Sequence, residues 1–175
     1  MPLLKNNAFV ADEFVTISDE AALPSAGHGI ISLKRLQAEW AQISVSNLLI
    51  GLRLGNTDKV EDLAPFTRKI AMIALPFPAF GDGRSYSLAR QLRLNGYSGE
   101  LRAEGNVLPD QLQLMRQVGF DAFVVTERFP LSVWQAVPQQ MSLSYQRGLY
   151  RDREVEVWSA RHHGFNAWED KPHAR

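Results

Sequence analysis

The chain has 175 residues, nineteen basic and nineteen acidic side chains, a formal net charge of zero and no cysteine. At this length folding removes roughly 70% of the unfolded chain's surface from water, enough for one core and not for two. The neutral balance excludes a general polyanion binder, so no nucleic-acid partner is expected; the missing thiol excludes disulfides, cysteine-held iron–sulfur clusters and cysteine nucleophiles.

The N-terminal stretch, residues 1–35, reads as a small β element. Ala8 to Val10 and Phe14 to Ile17 are β-prone pieces that suggest a hairpin around Asp12 and Glu13. Ser25 to Gly29 is turn material, Ile30 to Leu33 suits a strand, and Leu36, Trp40 and Ile43 have helical spacing. From residue 47 strands and helices alternate. Leu48 to Leu54 is a strand, and Asn56 or Thr57 caps a short helix over Val60 to Phe66. Ile70 to Leu75 is a strand apolar enough to be buried on both faces. Tyr86 to Leu94 is a helix ended by Gly96, Glu100 to Ala103 a strand, and Leu108 to Val118 a helix with Pro109 in its first turn. Ala122 to Val125 is a further strand, and Pro130 opens a last helix to Val137. The tail, 147–175, carries six Lys or Arg, five Asp or Glu and three of the four histidines. Residues 1–146 therefore read as one α/β domain followed by a charged tail.

The rhythm over 47–138 predicts about four βα units and a parallel sheet, half-barrel-like or open. A complete eight-fold barrel does not fit this length. Ligands of such sheets bind beyond the C-terminal strand ends. The Met1 to Ser18 segment lacks an apolar leader, and Ile70 to Phe80, interrupted by two prolines, is too short for a membrane span. A cytoplasmic protein without a membrane partner is expected.

The loop after the second of these strands runs Phe80, Gly81, Asp82, Gly83, Arg84, Ser85. Gly81 and Gly83 permit positive φ and close approach of backbone N–H groups, Ser85 suits an N-cap, and Arg84 adds a forked donor. Together with Asp82 these residues form a candidate binding loop for a small oxyanion. A structural turn in which Arg84 pairs with Asp82 or Glu104 is the competing reading. The segment matches neither a Walker loop nor the dinucleotide fingerprint, so no cofactor is expected. On the following helix Leu88, Ala89 and Leu92 define the buried face, and Arg90 faces solvent.

Alternation places Glu100, Arg102 and Glu104 on one face of the third strand, the concave face in a half-barrel. Arg102 is a candidate ligand for an anion and Glu104 a candidate general base. A purely structural ion-pair network with Arg84 and Arg116 is the alternative. The histidines of the tail lack metal-ligand spacing, so no metal site is expected. Ser85 and Ser87 have no histidine within the α/β core, which argues against serine–histidine hydrolysis.

These residues carry a resemblance. Phe80 to Arg84, Ser87, Arg90, Arg93, Gly96, Tyr97, Gly99 to Ala103, Gly105 to Val107, Asp110, Gln111 and Gly119 to Phe123 resemble, in order and spacing, a bacterial family known as domain of unknown function 934. The similarity covers about residues 45–145. The family usually has Thr where Gly81 stands and Asp where Asn106 stands. The resemblance implies a place beside assimilatory sulfite reduction, because genes of the family commonly adjoin that of sulfite reductase. It assigns no chemistry to individual residues.

Sulfite reduction needs six electrons, usually through sirohaem and a cysteine-held cluster, and this chain lacks both cysteines and a flavin or nicotinamide fingerprint. Two functions are therefore expected. One is an accessory protein that binds sulfite reductase or another sulfur-assimilation protein, a small oxyanion, or both. The open sheet edges of a half-barrel favour a homodimer or hetero-complex in that case. The other is a small enzyme acting on an anionic metabolite, with Arg84 and Arg102 holding the anion and Glu104 as general base.

Overall fold

The structure, a computed structural model, describes residues 2–140, 143–144 and 155–156, with side chains described to Val137. Its centre is an eight-stranded sheet curled into a half-barrel. The strands are β1 (Leu3–Lys5), β2 (Ala8–Val10), β3 (Val15–Thr16), β4 (Ala26–Ser32), β5 (Asn47–Arg53), β6 (Ile70–Phe77), β7 (Glu100–Gly105) and β8 (Ala122–Val124). Their spatial order is β2-β1-β8-β7-β6-β5-β4-β3. Strands β3 to β8 are parallel, and β1 runs antiparallel to both β8 and β2.

The four expected βα units are present, and a fifth precedes them. Helices α1 (Leu33–Ala38) and α2 (Trp40–Val45) connect β4 to β5. Ser32 caps α1 by accepting the Arg35 N–H. The expected helix over Val60 to Phe66 shortens to a 3₁₀ turn, Val60–Leu63, with Lys59 and not Asn56 or Thr57 at its N-cap. Helix α3 (Arg84–Leu94) follows β6. A 3₁₀ turn, Pro109–Gln111, leads into α4 (Leu112–Gln117), and α5 (Leu131–Gln140) follows β8. Outside the sheet, β9 (Leu143–Ser144) and β10 (Val155–Glu156) pair in parallel. The rest of the expected charged tail, with its histidines, lies outside the described residues.

Sequence alternation sorts the two faces. Leu48, Ile50 and Leu52 of β5, Ile73, Leu75 and Phe77 of β6, and Leu101 and Ala103 of β7 face the helices. They join Leu36, Ala89, Leu92, Leu112, Met115 and Trp134 in one core. The concave face holds a smaller apolar cluster of Ile30, Met72 and Ala74, covered by Phe14. Both faces of β6 are thus buried, as its apolar run predicts.

The hairpin expected around Asp12 and Glu13 does not form. Ala8–Val10 pairs instead with Leu3–Lys5, through a turn at Asn6 and Asn7 with positive φ of 52° and 62°. Val15–Thr16 pairs with β4 at the opposite edge of the sheet. Two Asn in the left-handed region form the tight turn that right-twisted strands prefer, so the first hairpin closes before Asp12 is reached. The chain from Val10 to Val15 therefore joins the two edges of the sheet. Laid flat, eight strands would separate those edges by about 34 Å. Five residue steps reach about 18 Å. The sheet curls because its edges are tied, and residues 11–14 cross the concave side as a strap.

Candidate functional site: the concave face and the C-terminal strand ends

The loop between β6 and α3 folds around its own carboxylate. Arg84 reaches Asp82 with two guanidinium bonds, Nε to Oδ1 at 3.0 Å and Nη2 to Oδ2 at 2.7 Å, and its backbone N–H donates to Oδ1 at 3.2 Å. Asn56, from the loop after β5, donates its amide to Asp82 Oδ2 at 2.9 Å. The Arg84 guanidinium holds the Asp82 carboxyl well below the usual carboxylate range, at about 2. The slot beside Arg84 that the sequence suggests for an external anion is thus filled by Asp82.

Three details of the expected loop change. Gly83, not Ser85, is the N-cap of α3, with φ of −88°. Neither Gly81 nor Gly83 has positive φ, although an added Cβ on either would meet nothing within 4 Å. Ser85 is fully buried inside the first turn; its hydroxyl donates to Pro76 O at 2.5 Å and lies 3.2 Å from Asn56 Oδ1. It clamps the helix start to the end of β6. The next strand adds a second clamp, since Asn106 donates its amide to Pro78 O at 2.8 Å. Asn106 serves there as a donor, a role that an ionised carboxylate cannot take.

Glu100, Arg102 and Glu104 share the concave face of β7, as alternation predicts, and each is paired. The Arg102 side chain is 2% exposed. It donates Nε and Nη2 to Glu100 Oε1 at 3.0 and 2.9 Å, and Nη1 to Asp12 Oδ2 of the strap at 2.7 Å. The Phe14 ring covers it at 5.5 Å from its centroid. Lys5 of β1 donates to the second oxygen of Glu100 at 2.7 Å. A guanidinium removed from water needs this full set of acceptors. Glu104 accepts from Arg53 Nε at 3.0 Å. Register sets Arg53 beside Ala74 and Pro76 beside Glu104, so this pair reaches over β6, where Ala74 leaves room.

Arg84 pairs with Asp82, as the structural-turn reading of the loop expects, and the β7 carboxylates pair with Lys5, Arg53 and Arg102. Arg116 donates to Asn7 Oδ1 at 2.6 Å. Arg84, Arg102 and Glu104 each pair with other side chains of the chain, Arg84 with Asp82, Arg102 with Glu100 and Asp12, and Glu104 with Arg53. Sequence reasoning missed Lys5, Asp12, Arg53 and Asn56, which complete these pairs. The available signal was the strand itself, because three charges facing a concavity demand partners. Arg93 of α3 is a buried clamp that donates to Gly119 O, Tyr97 O, Gly99 O and the Asp121 carboxylate. Arg90 is exposed, as its helical position dictates.

Beside these pairs a cleft of about 750 Å³ opens over the C-terminal ends of β3 to β6. Ile17, Ile30, Leu54 and Pro76 supply apolar lining, and Ser32, Lys34, Arg53, Asp19, Asp58 and Asp62 the polar one. It lies where ligands of parallel α/β sheets bind. Among the described residues no group of histidines and carboxylates is arranged to hold a metal, and no helix is long and apolar enough to cross a membrane.

Residues 51–155 match the model of a family described as a bacterial protein of unknown function (DUF934). No curated protein matches the chain.

Proposed function

Since the chain belongs to this bacterial family of unknown function, we propose that it is an accessory protein of assimilatory sulfite reduction. In this reading it docks on sulfite reductase in the cytoplasm and is not the redox catalyst. The pathway comes from the family resemblance; the accessory role is supported by one structural observation. Arg84, Arg102 and Glu104, the groups an enzyme of anionic metabolites would use, are each neutralised by a side chain of this same chain. The sheet also offers an edge for docking. Strand β2 is exposed along its whole length, with Phe9 and Val10 among the exposed large apolar residues. A small oxyanion remains a second ligand of this reading at the Gly81–Arg84 loop, where it competes with Asp82.

The experiment is a chromosomal deletion combined with affinity capture from the native cytosol. The deletion strain should fail to grow on sulfate or sulfite as sulfur source and recover on sulfide. The tagged protein should bring down sulfite reductase, and Phe9→Asp should lose it. Normal growth on sulfate, or capture without sulfite reductase, would overturn the proposal.

A further inference from the structure

We propose that the cleft over the C-terminal ends of β3 to β6 binds a small zwitterion, of the class of a short peptide with free amino and carboxyl termini. This inference is independent of the pathway reading and concerns a site apart from the Asp82–Arg84 loop.

The charge of the lining decides the ligand class. Two cations, Lys34 and Arg53, and three carboxylates, Asp19, Asp58 and Asp62, face the cleft. A bare dianion such as sulfate or sulfite meets more negative than positive charge there, and a bare cation meets Lys34 and Arg53. A molecule carrying both charges can satisfy both poles. The lining groups are not equally available. Asp19 accepts from the Ser32 hydroxyl at 2.8 Å, Asp58 from the Gly55 N–H at 2.7 Å, and Arg53 is engaged by Glu104. The side chains of Lys34 and Asp62 have no hydrogen-bond or ion-pair partner among the described residues, and they do not pair with each other. They come from the segments after β4 and after β5, so adjacent parallel strands deliver opposite free charges to one opening. The volume, about 750 Å³, is within the usual range of small-molecule sites and far exceeds a single oxyanion. Ile17, Ile30, Leu54 and Pro76 of the lining offer apolar contact to aliphatic side chains. Lys34 thus takes the carboxylate and Asp62 the ammonium group.

The test uses trialanine, its N-acetyl derivative and its C-terminal amide, followed by amide chemical-shift perturbation in the full chain. Trialanine should shift resonances of residues 32–34, 53–58 and 62 in a saturable manner. The two single-charge derivatives should bind at least tenfold more weakly. Lys34→Met should weaken trialanine at least fivefold and leave the C-terminal amide unaffected; Asp62→Asn should weaken trialanine and leave the N-acetyl form unaffected. Both residues are exposed, and unchanged spectra elsewhere will show that the variants fold. Absence of perturbation at these residues, or equal affinity for trialanine and its N-acetyl derivative, overturns the proposal.

Discussion

Arg102 and Asp12 form an ion pair of 2.7 Å between a buried guanidinium on β7 and the strap that crosses the concave face. The pair ties an element near the N-terminus to the centre of the sheet. Removing the strap carboxylate with Asp12→Ala should cost about 2 kcal/mol, the loss of one hydrogen bond to a buried charge. That corresponds to a fall in melting temperature of about 4–8 °C for a chain of this size. Lys5→Met, at the partly exposed end of the same network, should cost less than about 1 kcal/mol. Thermal unfolding of the two variants checks the order; an equal loss would mean that the strap adds nothing beyond surface pairing.

Asp82 supplies a pH dependence. Its carboxyl is lowered from 3.8 to about 2 by Arg84, so the ionised form is favoured in the folded protein. The resulting stabilisation is complete above 3.8 and is lost as the pH falls from there towards 2. Asp82→Asn should therefore melt below the wild type above that interval, and the difference should shrink across it. A difference that stays constant down to pH 2 would assign the effect to another group.

The same carboxylate hides a second behaviour. In Asp82→Ala the Arg84 guanidinium and the Arg84 backbone N–H lose their internal acceptor. Inorganic phosphate should then raise the melting temperature of this variant more than that of the wild type, and should not raise that of Asp82→Ala combined with Arg84→Ala. A shift of equal size in all three would show that phosphate acts elsewhere.

Gly51 of β5 lies beneath Phe14 of the strap. A Cβ there would stand 2.8 Å from Met72 Cε and 3.0 Å from both Ile30 Cγ1 and Phe14 Cδ1. Gly51→Ala should destabilise by about 1–3 kcal/mol through overpacking. In a Phe14→Ala background the added methyl gains room, so the double variant should lose less than the sum of the singles. Strict additivity, measured by denaturant titration, would mean that the crowding comes from Met72 and Ile30 instead.

The β5 to β8 half of the fold is legible in the sequence because each strand is an apolar run of clear length and each crossover has helical spacing. Strand β1 is not: three residues give no period, and their meaning lies in pairing Leu3 with Val124 at the far side of the chain. The concave charges show the same division. Alternation alone aligns Glu100, Arg102 and Glu104, whereas their partners stand 95, 90 and 51 residues away, at Lys5, Asp12 and Arg53. No local pattern encodes such distances. The Asp82–Arg84 pair, two residues apart, is legible as a possibility, and only the geometry of the loop shows that it closes.

The strap also sets an order of assembly. Synthesis delivers β1 and β2 first, yet β1 pairs with β8, which the ribosome makes last of the eight strands of the main sheet. Until Ala122–Val124 emerges, Leu3 and Leu4 have no place in the core, and the opening hairpin waits on an incomplete sheet. Closing that long loop costs of order 4 kcal/mol in chain entropy, offset only when β1 and the Asp12–Arg102 pair engage together. Completion of this fold is thus a late, non-local event, and the N-terminal residues act as its fastener.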